Sequence, residues 1–265
     1  MATFEPGRVV LSFMVRDDEV TAAAVSCQRP DIAHLLNGRQ AAQVVATVPL
    51  IYSLCGKAQD VAARAALAAA RGSPVEAYVD PEVQSEAARE HAWKLFVDWP
   101  RQFGLPPDET LFVQSVRAAS SERADLARLL AAHELPAALA GALGDTEIDR
   151  LLRRCIAARV SALADWLMGR QQALGTVTAT SPSAGVGIAT VETARGTLMH
   201  RLTLDGDEVA DYVIIAPTDV HFAPGGDVAD WLQRLKGARK AEAKQQASRL
   251  AMAFDPCVPW SCEFS

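Results

Sequence analysis

The chain has 265 residues, half of them apolar, and a formal charge of −6 at pH 7. That length supports one substantial core, and the acidic balance argues against a general electrostatic grip on nucleic acid or anionic lipid. No segment approaches the roughly 18 uninterrupted apolar residues of a membrane span, and the N-terminus lacks the basic and apolar regions of a signal peptide, so a cytoplasmic address without membrane insertion is expected.

The β-rich runs Val9 to Val15 and Val20 to Val25, separated by Asp17-Asp18-Glu19, predict an opening hairpin. After Pro49 an apolar approach, Leu50-Ile51-Tyr52, leads to Cys55-Gly56 and an alanine-rich helix to Ala70 that ends near Gly72. Cys55 is thereby placed beside a helix N-terminus, where the positive end of the dipole should favour its thiolate. Helical periodicity follows over Pro81 to Trp99, Ser120 to His133 and Thr146 to Met168, with stops at Pro100, Pro106, Pro136 and Gly144. Thr176 to Gly187, rich in Thr, Ser, Gly and Ala, reads as a loop or linker. Ile188 to Glu192, Thr197 to Leu204 and Val209 to Ala216 read as strands, the last two joined around Asp205-Gly206-Asp207. A loop through Pro217-Thr218 and Pro224-Gly225-Gly226 leads into a final helix from Asp227 to Phe254, with the basic run Lys236 to Lys244 as a solvated face. That helix delivers Asp255-Pro256-Cys257, in which Asp255 is expected to anchor the turn.

The five cysteines lie at irregular spacings and read as reduced thiols, not as a disulfide framework. Cys27 and Cys155 sit in apolar patterns and are expected in the core. Cys55, Cys257 and Cys262 come from opposite ends of the chain, beside turn-forming residues, and folding could bring them together about one soft metal. No zinc-type spacing occurs among the cysteines or histidines. There is no phosphate loop and no serine, histidine and aspartate arrangement, so an enzyme is not expected.

Four stretches carry a resemblance. Val191-Glu192-Thr193-Ala194-Arg195-Gly196-Thr197-Leu198-Met199-His200, then Ala216-Pro217-Thr218, resemble the Glu-Ala-Pro-Arg-Gly-x-Leu-x-His and Val-Pro-Thr/Ser stretches of [NiFe]-hydrogenase large subunits. Cys55-Gly56 resembles the start of their Arg-x-Cys-Gly-x-Cys motif, and Asp255-Pro256-Cys257 the start of their C-terminal Asp-Pro-Cys-x-x-Cys-x-x-His motif. The departures matter equally. Ala58 stands where the upstream motif has its second cysteine, Ser53 where it has arginine, and Cys262 follows Cys257 after four residues instead of two, without the histidine. A four-thiolate nickel–iron cage cannot be built from these positions, and nickel is not expected. The chain is more similar to the HupK/HoxV family of hydrogenase maturation proteins, which look like trimmed large subunits, in phrases such as Val48 to Gln59 and Arg89 to Pro100.

The resemblance implies a single α+β domain over 1–265, mainly helical, with N-terminal and C-terminal β-hairpins, in the manner of a trimmed large subunit. It implies an accessory scaffold that holds an iron bearing cyanide and carbon monoxide through Cys55, Cys257 and Cys262, with Arg195 and Thr218 donating to cyanide and Pro217 shaping the wall. The expected partners are maturation proteins of the Hyp type and the hydrogenase large subunit. The alternative is a metal-free chaperone that keeps the fold for docking. His200, mid-strand, is expected in a structural hydrogen bond. Without metal the last ten residues are expected to be mobile.

Overall fold

The computed structural model describes residues 7–52, 54–118, 121–170 and 172–265. β1 (Arg8–Arg16) and β2 (Glu19–Gln28) form the expected hairpin, paired from Arg8 opposite Gln28 to Arg16 opposite Glu19 with a one-residue shift between Met14 and Val15. Asp17 and Asp18 take φ of 52° and 68°, a left-handed turn whose twist suits the strands and which short polar side chains tolerate.

α1 (Ala41–Ile51) precedes α2 (Gly56–Ala70). The apolar approach to Cys55 was expected to begin only after Pro49, yet the helix runs through that residue. Pro49 has no N–H to return to the Val45 carbonyl and the helix ends two residues later, while Ala41, Val44, Val45 and Val48 form a buried stripe upstream.

The second sheet runs in the order β3 (Tyr78–Val79), β4 (Thr176–Ser183), β5 (Val186–Thr193), β6 (Gly196–Asp205) and β7 (Glu208–Ile215), antiparallel throughout. The segment read as a linker, Thr176 to Gly187, is therefore β4 and the start of β5. Its threonines are β-branched and suit a pleated surface, and Val177 is buried opposite Val191. Pro182 is confined to the irregular end, where the register shifts between Thr180 and Ser183.

α2 lies on this sheet, and its small residues have a packing reason. A Cβ placed on Gly187 would stand 1.9 Å from the Ala66 carbonyl oxygen and 2.6 Å from the Ala70 nitrogen. Gly187→Ala should therefore force α2 off β5 and lower stability by about 1–3 kcal/mol, read as a fall in the urea midpoint. Gly141→Ala, at a helical site with nothing within 4 Å, should leave the midpoint unchanged or raise it.

α3 (Pro81–Trp93) continues through a π-helical turn at Lys94–Asp98 into α4 (Trp99–Gln102). Pro100 does not stop the chain's helical course as expected. Having no N–H, it leaves the Phe96 carbonyl without its helical donor, and the Asp108 N–H supplies one at 2.8 Å. α5 (Glu109–Arg117), capped by the Asp108 side chain, was not foreseen. α6 (Arg123–Ala132), α7 (Glu134–Gly141) and α8 (Glu147–Leu167) follow, the last opened by a capping box between Thr146 and Asp149. Pro136 lies in the first turn of α7, where its missing N–H costs nothing, and so begins a helix instead of ending one.

After α9 (Pro217–His221) the long final helix expected from Asp227 to Phe254 is two helices, α10 (Asp227–Gln233) and α11 (Lys240–Phe254). Gly237, at φ 82°, makes the break, and its N–H bonds the Val20 carbonyl while the Val20 N–H returns to Ala238, both at 2.9 Å. The basic run thus spans a turn docked on the opening hairpin. β8 (Trp260–Phe264) then pairs in parallel with β1, placing Cys262 opposite Leu11, and Phe264 stacks on Phe13 at 4.8 Å. The terminus expected to be mobile is a strand whose order comes from backbone pairing and aromatic contact. Among the described residues no helix is long and apolar enough to cross a membrane.

Candidate functional site

Cys55, Arg195, Pro217, Thr218 and Cys257 line one small cavity of about 30 Å³, with Val83, Ala87 and Leu198 as apolar wall. Residues from the α2 entrance, the β5–β6 turn, α9 and the end of α11 are thus brought together across more than 200 positions of sequence. Cys262 does not line this cavity. It faces the core formed by the first sheet with α10 and α11, and burial pushes its thiol up to about 11, only partly offset by Lys244. Cys27 packs in that same core, and Cys155 packs against the helical one.

Cys55 is the N-cap residue of α2. The thiolate-favouring dipole expected there is already answered by Glu86 on α3, whose carboxylate accepts from the N–H groups of Lys57 at 2.9 Å and Ala58 at 3.2 Å. Burial pushes the Cys55 thiol up to about 11, Cys257 and Glu86 add to it, and the Gln59 hydrogen bond and Arg195 oppose. The thiol is thus pushed the opposite way from the sequence expectation, with burial the largest cause. Ala58, at the position of the missing cysteine, is fully buried.

The Gln59 amide donates to Cys55 Sγ at 3.7 Å, a long contact suited to sulfur. The Gln59 carbonyl oxygen accepts from His200 Nε2 at 2.9 Å, and His200 Nδ1 accepts from the Tyr212 hydroxyl at 2.8 Å. His200 is thus structural, as expected, and its neighbours fix its tautomer. Burial pushes its pKa down to about 3, and burial followed by Arg159 does the same to His91. Both are neutral in the fold but protonate near pH 6.5 when unfolded, so their contribution to stability is present above that pH and is lost as pH falls from 6.5 toward 3. Unfolding free energy from urea titrations should fall between pH 7 and 5, by as much as about 4 kcal/mol for the pair together, and the midpoints with it. Midpoints independent of pH over that range would contradict the burial of neutral imidazoles.

Arg195 occupies the two-residue turn between β5 and β6, where the Thr193 hydroxyl accepts its N–H at 3.3 Å and donates to the Gly196 carbonyl at 2.7 Å. Its Nη2 donates to Glu90 at 2.7 Å and its Nε to the Asp255 carbonyl at 2.9 Å. No bond of Nη1 is seen among the described residues. Burial works against the charge of Arg195, but Asp255 and Glu90 raise its pKa.

Asp255 closes α11 in a left-handed conformation, φ 47°, and is 3 % exposed. Lys94 Nζ lies 2.8 Å from its Oδ1, Arg159 Nη2 3.0 Å from its Oδ2 and Arg195 Nε 3.3 Å from its Oδ2. Burial would raise its pKa, but Arg195, Arg159 and Lys94 hold it below the ordinary aspartate value. Glu90, Lys94 and Arg159 were missed by sequence reasoning. A signal existed for Arg159, which falls in the buried stripe Ile148, Leu152, Ile156, Arg159, Leu163 of α8.

Anchored in this way, Asp255 fixes where the chain leaves α11, and two residues later Cys257 meets Thr218. The Cys257 N–H donates to Thr218 Oγ1 at 3.1 Å, and that hydroxyl donates to Cys257 Sγ at 3.2 Å. Pro217 opens α9, and Asp219 accepts from the Ala216 N–H at 2.9 Å.

Two soft thiols, one guanidinium and the Thr218 hydroxyl stand among apolar walls, with Thr193, Glu86 and Glu90 also lining the cavity, and thiols are the donors that a soft metal selects. No group of three or more His, Cys, Asp or Glu side chains is placed to hold a metal among the described residues.

The fold is that of the hydrogenase large subunit. It matches the reduced [NiFeSe] hydrogenase from Desulfovibrio vulgaris Hildenborough with a TM-score of 0.61 at 10% identity, covering 92% of this chain and 94% of that one. An NAD+-reducing [NiFe]-hydrogenase gives 0.53 at 13% identity, covering 92% and 94%, and at these identities the likeness is one of fold alone. No family model matches the chain. Its curated relatives are hydrogenase expression/formation proteins: HupV from Azotobacter chroococcum mcd 1, 28% identical over 95% of this chain and 97% of the relative, and HupK from Rhodobacter capsulatus, 29% identical over 91% and 93%. HoxV from Cupriavidus necator is 40% identical over 31% of this chain and 22% of its own length. The resemblance drawn from Cys55-Gly56, Arg195, Thr218 and Asp255-Pro256-Cys257 thus leads to the HupK/HupV/HoxV proteins, on a large-subunit fold.

Proposed function

We propose that this chain is a non-catalytic scaffold in [NiFe]-hydrogenase maturation, which holds an iron carrying cyanide and carbon monoxide between Cys55 and Cys257 before passing it to the large subunit. The observation that carries the reading is the meeting of those two thiols, from opposite ends of the chain, in one cavity with Arg195 and Thr218. Two protein ligands suffice for a metal whose other positions are filled by diatomic ligands, and a cargo held by two ligands can leave again. Arg195 would donate from Nη1 to one cyanide nitrogen, and Thr218 would turn its hydroxyl from Cys257 to the other. Val83, Ala87 and Leu198 would receive the carbon monoxide. Cys262 has no part in this reading. The delivering partners would be maturation proteins of the Hyp type.

One observation favours the metal-free chaperone. Arg195 Nε and Nη2 are both engaged within the protein, so that much of its guanidinium serves to hold Asp255 and Glu90. Anaerobic purification from a host carrying the maturation genes, followed by iron analysis, separates the two. The scaffold predicts about one iron per chain, whereas intact binding to the large subunit with no iron would leave the chaperone.

A further inference from the structure

Cys55 and Cys257 line not only the small inner cavity but also a second one of about 220 Å³, which Arg195 and Thr218 do not line. Its other walls include Arg29, Ile32, Tyr52 and Val258. Arg29 follows β2 and is fixed from two sides: Nη1 pairs with Asp219 at 2.8 Å, and the guanidinium carbon lies 5.9 Å from the centre of the Tyr52 ring. The two thiols therefore stand between two spaces of different character. The inner one, about 30 Å³, takes little more than small ligands. The outer one is several times larger and carries the partly buried Arg29 on its wall.

We propose that the outer cavity is the passage by which an anionic iron fragment reaches and leaves Cys55 and Cys257, with Arg29 the cation that draws it in. The identity of the cargo rests on the scaffold reading, but the passage and its charge preference stand on the geometry. A chain with formal charge −6 repels an anion as a whole, so arrival at two thiols calls for a local positive field, which low-dielectric walls focus. Arg29 is the guanidinium on that wall, and its pairing with Asp219 also ties the outer cavity to α9, which carries Thr218. Burial opposes the charge on Arg29, while Cys257 and Asp219 support it. A sulfur at Cys257 thus meets a hydroxyl on one side and the field of a guanidinium on the other.

The passage can be tested on the full chain without iron. Rates of alkylation at Cys257 are measured by peptide mass spectrometry with iodoacetate, an anion, and iodoacetamide, its neutral counterpart. In Arg29→Gln the iodoacetate rate relative to iodoacetamide should fall about threefold to tenfold, and Arg29→Lys should restore most of the preference. A change in thiolate fraction slows both reagents alike, so the ratio isolates the charge. Ile32→Trp, which narrows the cavity and leaves Arg29 in place, should slow both reagents at Cys257 without changing their ratio. An unchanged ratio in Arg29→Gln would overturn the role of Arg29, and alkylation unaffected by Ile32→Trp would overturn the passage. Melting curves matching the parent chain guard against unfolding. If the anion preference holds but the protein gains no iron in a host carrying the maturation genes, the passage stands and the scaffold reading fails.

Discussion

Asp255→Ala is expected to destabilise the protein by about 3–5 kcal/mol, the usual cost of removing one partner from a buried charge cluster. The carboxylate is 3 % exposed and faces Lys94, Arg159 and Arg195, which come from the π-helical turn, α8 and the β5–β6 turn. Its loss leaves Arg159 and Arg195, themselves almost wholly buried, with excess positive charge, and Glu90 alone to answer Arg195. Alanine is also ill-suited to the left-handed backbone at this position, φ 47°. For a chain of this size the melting temperature should drop by about 10 °C. Asp255→Asn keeps a side chain that tolerates the conformation and accepts hydrogen bonds, so it should cost less but still lower the midpoint. Thermal melts within a degree of the parent for both variants would show that the cluster does not hold the C-terminal turn.

Cys55→Ala and Cys257→Ala are expected to bring co-purified iron from about one per chain to near zero, because a two-thiolate site loses its chelate when either sulfur goes. Both variants should keep their fold, since each replaces a partly buried thiol by a small apolar group. Cys262→Ala is the informative control. Cys262 is paired opposite Leu11 in the first sheet, away from the cavity, so its removal should leave the iron in place. Iron lost from Cys262→Ala and retained in Cys55→Ala would contradict the geometry.

The hairpin at Asp17-Asp18, α2, α8 and the turn at Asp205-Gly206-Asp207 were legible because local signals agree there: polar turn residues between β-branched runs, or a cap followed by helical periodicity. What escaped was set by distant partners. β8 exists because β1 offers an unpaired edge and Phe13 a stacking face, and α11 begins late because Gly237 docks on Val20. β4 was hidden by its composition, since Thr and Ser suit both loops and sheet surfaces. At the site, the residues the motifs singled out, Cys55, Arg195, Thr218 and Cys257, line one cavity, but the environment of Cys55 depends on Glu86, thirty-one residues away in sequence, which nothing local announces. The shift of Cys262 by two residues from its motif position places it in a strand.

In the proposed scaffold, Cys55 and Cys257 hold an iron bearing cyanide and carbon monoxide. Infrared spectroscopy of the protein, purified anaerobically from a host carrying the maturation genes, tests it most directly. Bands in the cyanide and carbon monoxide stretching region that vanish in Cys55→Ala and in Cys257→Ala are predicted. A blank spectrum from folded protein that still binds the large subunit would contradict it.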